Sequence, residues 1–224
     1  MIHFCIVTLG GRDLVRLCQA SLKKYSGFET RWSFPSLSQW TPFDTTDHGL
    51  MLDHWRTEMK GLIRDIDLVV IMDPDCVLLV FRWRHEIDRV FKDSTIGIWG
   101  AGSTEDFGPR VHASMMVIRG ELWNTLDRSF TPCTDPREQT WRDTGGLYCM
   151  FAKAAGWQLK PIERGPDWHG VSAWWSGSTP LWAHLGGGTW SDPTRMTWWQ
   201  RIRRRKAIQQ RRRFIAAVEE HLAQ

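Results

Sequence analysis

The segment that decides the fold is residues 67–75, Asp-Leu-Val-Val-Ile-Met-Asp-Pro-Asp. Residues 68–72 form a continuous apolar run of strand length, which is typical of a strand buried on both faces of a parallel sheet. Asp73 and Asp75 follow at once. Because ligands of open α/β sheets bind outside the carboxyl ends of the strands, both carboxylates are expected to face a site, and their oxygens suit Mg²⁺ or Mn²⁺. An ordinary turn would also favour Asp and Pro.

Strands and helices alternate around this segment. The run from His3 to Leu9 predicts a strand that ends at Gly10-Gly11, and a helix with apolar residues at helical spacing follows. A second amphipathic helix is predicted over residues 52–66. Weaker patterns predict strands at 29–34, 95–99 and 113–118 and helices at 85–91 and 144–155. This order predicts an α/β fold with a mixed, mainly parallel central sheet and flanking helices.

Composition and charge separate the two ends of the chain. Residues 201–224 carry eight Lys or Arg and two Glu, whereas the first 200 residues carry 21 basic and 23 acidic side chains. The sequence has no apolar run of membrane-spanning length and no signal-peptide pattern, and its five cysteines are scattered. We therefore expect a soluble, cytoplasmic protein with reduced thiols.

Residues 165–193 are rich in Gly, Ser, Pro and Trp and show little periodicity. We interpret them as a long ordered loop region that closes over a site. Within it, the glycines after His184 would let backbone amides approach an anion, and the imidazole could ligate a metal or donate to a phosphate. A flexible loop at these glycines and a structural role for His184 would explain the same residues.

Asp143 precedes the helix predicted at 144–155. An acidic side chain at this place is explained by N-capping, which stabilises a helix by about 1 kcal/mol. It would equally suit a general base held by the body of the helix toward the site. The residue pattern alone leaves both roles open.

In this order, the motifs resemble the GT-A glycosyltransferases, most closely their large inverting group. The likeness covers roughly residues 1 to 190. It includes the first strand and its helix, the segment Gly49-Leu-Met-Leu-Asp53 before the Asp-x-Asp strand, Trp141-Arg-Asp-Thr-Gly with Gly156-Trp157, and the late histidine. Two positions depart from the group's pattern, because Asp53 stands where Asn is usual and Arg142 where Glu is usual.

The resemblance implies a Rossmann-like GT-A domain over 1–195 and a nucleotide-sugar donor, with a UDP-sugar expected. Asp75, Asp73 and His184 would hold Mn²⁺ or Mg²⁺ at the diphosphate, with Asp73 also toward the ribose or sugar. Asp143 would take the proton from an acceptor hydroxyl with inversion, although a retaining mechanism stays open if Asp143 is only a cap. The remaining donor contacts would be Thr8, Arg12, Gly49 and Asp53.

Residues 196–224 are predicted to form a basic C-terminal helix or tail. It is interpreted as a solvated helix packed by its last turns, as a nucleic-acid contact, or as a contact to anionic lipid headgroups. The acceptor or nucleic-acid candidates are Arg203, Arg204, Arg205, Arg211, Arg212 and Arg213. Eight tryptophans between Trp157 and Trp199 would stack on sugars or flipped bases or would belong to the core.

The tail and the tryptophans favour a DNA-modifying transferase of phage type, acting on a 5-hydroxymethylpyrimidine base in the cytoplasm of a bacterial or phage-infected cell. A lipid-linked, glycan or protein acceptor is the alternative within the same class. From other classes, a nucleotidyltransferase also uses Asp-x-Asp after a strand, and a non-catalytic nucleic-acid-binding module would explain the departures at Asp53 and Arg142. The sequence does not determine the oligomeric state.

Overall fold

The structure is a computed structural model of the chain. It describes residues 1–7, 12–27, 30–33, 45–102, 110–131, 144–186 and 198–224; within these ranges the side chains of residues 12, 30, 32, 45–47 and 198–205 are outside the description. The described helices are α1 (Arg12–Tyr25), α2 (Thr45–Glu58), α3 (Arg82–Val90), α4 (Gly120–Thr125), α5 (Gly146–Ala154) and α6 (Trp198–Ala223). The described strands are β1 (Ile2–Cys5), β2 (Thr30–Ser33), β3 (Leu68–Met72), β4 (Cys76–Leu78), β5 (Ile96–Gly102), β6 (Val111–Arg119), β7 (Gln158–Ile162), β8 (Ser172–Ser176) and β9 (Thr179–His184).

The main sheet has six strands in the order β2-β1-β3-β6-β5-β7. Adjacent strands in this sheet run parallel, except that β6 pairs antiparallel with β3 and with β5. The carboxyl ends of β1, β3, β5 and β7 therefore meet at one edge. The predicted mixed, mainly parallel α/β fold is confirmed.

Strand β3 runs through the centre of this sheet and is covered on both faces. Val70 and Met72 belong to one apolar cluster, which includes Phe4 and Trp83 from β1 and α3. Val69 and Ile71 belong to the cluster on the other face. This two-sided burial explains the continuous apolar run, and it places the next residue, Asp73, at the carboxyl edge.

A smaller antiparallel sheet, β4-β9-β8, lies beside this edge. Here the expectation of a long loop over residues 165–193 is wrong for 172–184, which form the hairpin β8–β9. Gly177, with φ 60°, and Ser178 make its two-residue turn. Gly and Ser between two short apolar runs are a hairpin signal that the bias toward Trp and Gly obscured.

Helix α2 ends earlier than its apolar spacing predicts. It stops at Glu58, and the following turns include Gly61 in the left-handed region at φ 82°. The last two residues of the expected apolar stripe then lie in solvent, with Leu62 63% and Ile66 78% exposed. Glycine favours this conformation because a Cβ would be strained there.

Helix α6 packs against α1 by its second half. Phe214 and Val218 are buried in a cluster with Leu17 of α1. Near the start of α1, Asp13 lies 3.9 Å from Arg211 of α6. Near the end of α1, Lys24 Nζ donates to the carbonyl of Leu222, which lies later in α6, at 2.9 Å. The two helices are therefore parallel, and the tail is packed by its last turns. The proposed domain boundary at residue 195 falls outside the described residues.

Among the residues that the structure describes, no helix is both long and apolar enough to cross a membrane.

Candidate metal centre

The turn between β3 and β4 is held by backbone hydrogen bonds. Asp73 N donates to Ser114 O of β6 at 3.1 Å, and Cys76 N donates to Asp73 O at 3.0 Å. Cys76 pairs with His184 across β4 and β9, and Leu185 N donates to Asp75 O at 3.1 Å. The hairpin therefore brings His184 beside a turn that lies more than a hundred residues earlier in the chain.

The three side chains predicted as metal ligands converge. His184 Nε2 lies 3.1 Å from Asp75 Oδ1 and 3.4 Å from Asp73 Oδ2. One ligand atom from each residue lies within 4.8 Å of the others. Adjacent ligands of an octahedral ion with bonds of about 2.1 Å are about 3 Å apart, so this spacing fits a small divalent cation. We call Asp73, Asp75 and His184 the metal cluster.

The metal-free cluster is strongly polarised. Burial disfavours the imidazolium, but the charge of Asp75 and hydrogen bonds to both carboxylates outweigh it and raise the pKa of His184 to about 10. Burial likewise disfavours the Asp73 carboxylate, yet the hydrogen bond from His184 and the nearby His48 and His112 hold its pKa well below the usual range. Since a metal binds the neutral imidazole, ion binding must release the proton on His184.

Two histidines of the site were missed by sequence reasoning. His48 Nε2 of α2 lies 3.9 Å from Asp73 Oδ1, and the His112 ring of β6 lies 6.4 Å from the His184 ring. Ser114 N donates to His112 Nδ1 at 3.0 Å. The available signals were His48 directly before the Gly49 segment and His112 directly before the strand predicted at 113–118. Neither belongs to a local metal motif.

Two of the tryptophans proposed for sugar or base stacking belong to the core. Trp182 is fully buried and Trp174 is 6% exposed. Their rings stack at 5.9 Å, and the Trp174 ring lies 6.4 Å from that of His184. They form an apolar wall behind the metal cluster, which accords with the large areas that indoles bury.

Gly49 and Asp53 hold α2 against the segment after α4. A Cβ on Gly49 would lie 2.5 Å from Thr131 Cα, so the close approach requires glycine. Asp53 accepts hydrogen bonds from Phe130 N at 2.9 Å, from Thr131 Oγ1 at 3.2 Å and from Ser129 Oγ. We call these contacts the Asp53 clamp. The predicted nucleotide contacts of Gly49 and Asp53 stay predictions.

A cavity of about 360 Å³ in the described part of the chain does not include the metal cluster. It lies along the second half of α2, where Arg56 donates to the Arg128 carbonyl at 2.7 Å. Its lining consists of Asp53, Arg56, Thr57, Lys60, Trp123, Asn124, Asp127, Arg128 and Ser129. The convergence of ligand atoms, rather than cavity size, identifies the candidate site.

Several predicted site residues stay predictions because of where they fall. Thr8 and Asp143 lie outside the described residues. Arg12 begins α1, but its side chain is not described, and the same holds for the side chains of Arg203, Arg204 and Arg205 in α6. Arg212 and Arg213 are exposed, and Arg211 lies near Asp13.

No protein-family model and no curated protein matches the chain. Among solved structures, a mannosyltransferase from Pyrobaculum calidifontis in complex with GDP-Man and Mn²⁺ is similar with a TM-score of 0.51 and 13% identity. That similarity covers 76% of this chain and 55% of the mannosyltransferase, so the chain spans little more than half of its length. A glycosyltransferase involved in glycosylation of the major capsid of PBCV-1 has a TM-score of 0.47 and 9% identity, over 71% of this chain and 81% of that one. The first likeness establishes a glycosyltransferase-like fold.

Proposed function

We propose that the protein is a metal-dependent glycosyltransferase that moves a sugar from a nucleotide-diphosphate sugar to an acceptor hydroxyl. The observation that carries this proposal is the convergence of Asp73, Asp75 and His184 at the carboxyl edge of a glycosyltransferase-like sheet. A UDP-sugar is the donor expected from the resemblance. A GDP-sugar enters the test because the similar mannosyltransferase was solved with GDP-Man.

Each residue of the metal cluster has a distinct place in the proposed reaction. Asp73 and Asp75 would hold Mn²⁺ or Mg²⁺ from the turn between β3 and β4, and His184 would hold it from the end of β9, with Asp73 also toward the ribose or sugar. When bound, the ion offsets the negative charge that develops on the diphosphate leaving group. The protein's own contribution is to keep the three side chains converged where the turn between β3 and β4 meets the end of β9.

The acceptor side of the proposal rests on Asp143. As general base it would take the proton from the acceptor hydroxyl while that oxygen attacks the anomeric carbon and the bond to the diphosphate breaks. Inversion is the expected outcome, and it is tested by NMR of the anomeric configuration of the product. Helix α5 begins at Gly146 with Gly145 at its N-cap, so the expected capping role of Asp143 is wrong for this helix. Retention in the product, together with activity unaffected by Asp143→Asn, would remove Asp143 from the reaction.

A donor screen tests the function directly. The full chain is incubated with UDP- and GDP-sugars and Mn²⁺, and weak hydrolysis is followed by release of nucleoside diphosphate. We expect release with one donor, its loss with chelator and its loss in Asp75→Ala. Pyrophosphate release instead would indicate a nucleotidyltransferase. Neither product, with no donor bound, would contradict the enzyme proposal and favour the binding module.

We further propose that the acceptor is a 5-hydroxymethylpyrimidine base in DNA, with α6 as the phosphate contact. Two observations support a nucleic acid over a lipid surface. The apolar residues Phe214 and Val218 are buried against the body of the protein and cannot insert into a bilayer, whereas Lys206, Arg212 and Arg213 are exposed. Arginine at this density attracts a phosphate backbone strongly and in a salt-dependent way.

Binding of unmodified duplex DNA, measured by fluorescence anisotropy, tests this surface. Deletion of α6 would expose the cluster around Leu17, so substitutions are used. We expect Arg212→Gln/Arg213→Gln to weaken binding and lower its salt dependence, while the matched charge loss Lys60→Gln/Lys92→Gln has little effect. Equal effects of the two pairs, or binding to anionic vesicles alone, would favour a glycan, protein or lipid-linked acceptor.

A further inference from the structure

A ring nitrogen of His48 lies at the edge of the metal cluster. It lies near the start of α2, with a side chain that is 13% exposed. Its Nε2 atom is buried and has no hydrogen-bond partner within the described part of the chain. A buried polar atom without a partner costs free energy, so its retention beside a carboxylate calls for a reason.

The two oxygens of Asp73 face two different imidazoles. Oδ2 lies 3.4 Å from His184 Nε2, within the metal cluster. Oδ1 lies 3.9 Å from His48 Nε2, which is just beyond hydrogen-bond distance. If Asp73 ligates an ion through Oδ2, its other oxygen remains available on the side of His48.

His48 is not itself placed as a ligand. The group of described residues whose ligand atoms lie within 4.8 Å of one another contains Asp73, Asp75 and His184, but not His48. Ligating carboxylates are commonly held by a hydrogen bond to their second oxygen, and loss of such a partner typically lowers metal affinity 10- to 100-fold. The distance and the buried Nε2 atom fit this supporting role.

The position of His48 is itself fixed by its own helix. Gly49 allows the backbone of Thr131 to approach α2, and the Asp53 clamp ties the next turn to the same segment. Two contacts one helical turn apart, at Gly49 and at Asp53, therefore hold the first half of α2 against residues 130–131. These contacts fix the part of α2 from which the His48 side chain faces Asp73.

We propose that His48 is a positioning residue for the metal ligand Asp73, donating from Nε2 to Oδ1 when the ion is bound. This inference rests on the proposed function through its metal site. It concerns how firmly the ion is held, and it assigns a task to a residue outside the Asp-x-Asp motif.

The test compares two substitutions at His48 by Mn²⁺ titration followed by electron paramagnetic resonance, with full-length protein and no donor. His48→Gln keeps an N–H donor at similar reach, whereas His48→Leu removes it. We expect His48→Leu to weaken Mn²⁺ binding 10- to 100-fold and His48→Gln to retain affinity within about threefold. The matched control is His54→Leu, because His54 lies on the same helix and is 61% exposed.

Thermal unfolding of the metal-free variants separates positioning from a structural role. Unchanged Mn²⁺ affinity in His48→Leu would overturn the inference, and so would equal weakening in both variants accompanied by a lower melting temperature. If the unsubstituted protein bound no Mn²⁺, the metal-dependent function would fail first. If the unsubstituted protein and His48→Leu both bound Mn²⁺ tightly, the role of His48 would be refuted while the proposed metal site would stand.

Discussion

The metal cluster and the Asp53 clamp contain the same acidic residue type in opposite environments. In the cluster, carboxylate oxygens of Asp73 and Asp75 face the imidazole of His184. In the clamp, Asp53 already accepts from a backbone N–H and two hydroxyls. The difference is that an aspartate beside other metal-binding side chains can take part in a metal site. An aspartate whose oxygens already accept hydrogen bonds from the backbone and from hydroxyls holds two segments together instead.

The largest expected effect comes from breaking the cluster. Asp75→Asn preserves shape but replaces a ligand charge, so Mn²⁺-dependent release of nucleoside diphosphate should fall by about 100-fold or more. Asp127→Asn is the control, since that side chain is fully exposed in the structure. Activity close to that of the unsubstituted protein in Asp75→Asn would remove Asp75 from the site.

Breaking the clamp should act on stability first. Asp53→Ala leaves Phe130 N and Thr131 Oγ1 without their acceptor. The free energy of unfolding, measured in urea, should fall by about 2 to 3 kcal/mol. Mn²⁺ affinity should change far less than in Asp75→Asn. A stable Asp53→Ala variant with lost nucleotide binding would instead favour the donor contact that the resemblance implies.

The close approach at Gly49 offers a second test of the clamp. In Gly49→Ala the new Cβ would meet Thr131 Cα at 2.5 Å and Thr131 N at 2.8 Å, so backbone must shift. Overpacking of this kind costs about 1 to 3 kcal/mol of unfolding free energy. The exposed neighbour Leu50 provides the control, because Leu50→Ala should change stability by less than about 0.5 kcal/mol. Equal stability of both variants would contradict the tight contact.

The pH dependence of the metal-free protein sharpens the contrast further. The pKa of His184 is raised from 6.5 to about 10, so its stabilising contribution is complete below pH 6.5 and is lost as pH rises toward 10. Below pH 10, Mn²⁺ affinity should rise by at most about tenfold per pH unit, which is about 1.4 kcal/mol. His184→Gln should flatten the stability profile between pH 6.5 and 10. If this substitution left the pH profile of stability unchanged, the raised pKa of His184 would be contradicted.

Much of the central fold was predictable because its signals are local. The apolar run before Asp73 identified β3, and the Asp-x-Asp order placed two candidate ligands at the sheet edge. The β8–β9 hairpin was missed because its composition resembled a loop. Its position beside the Asp-x-Asp turn could not be predicted either, because β4 and β9 pair across more than a hundred residues. His48 was missed for a similar reason, because a helix far from the motif in sequence supplies it. The end of α2 was misplaced because Leu62 and Ile66 kept a helical spacing beyond Gly61.

Binding of one divalent ion by Asp73, Asp75 and His184 underlies the proposed function. Its most direct test is a Mn²⁺ titration of the full chain by electron paramagnetic resonance, with Asp75→Asn and His184→Gln measured beside it. We predict one Mn²⁺ per chain, with affinity that rises with pH and is lost in both variants. No saturable Mn²⁺ binding, or a site retained in both variants, would contradict the account.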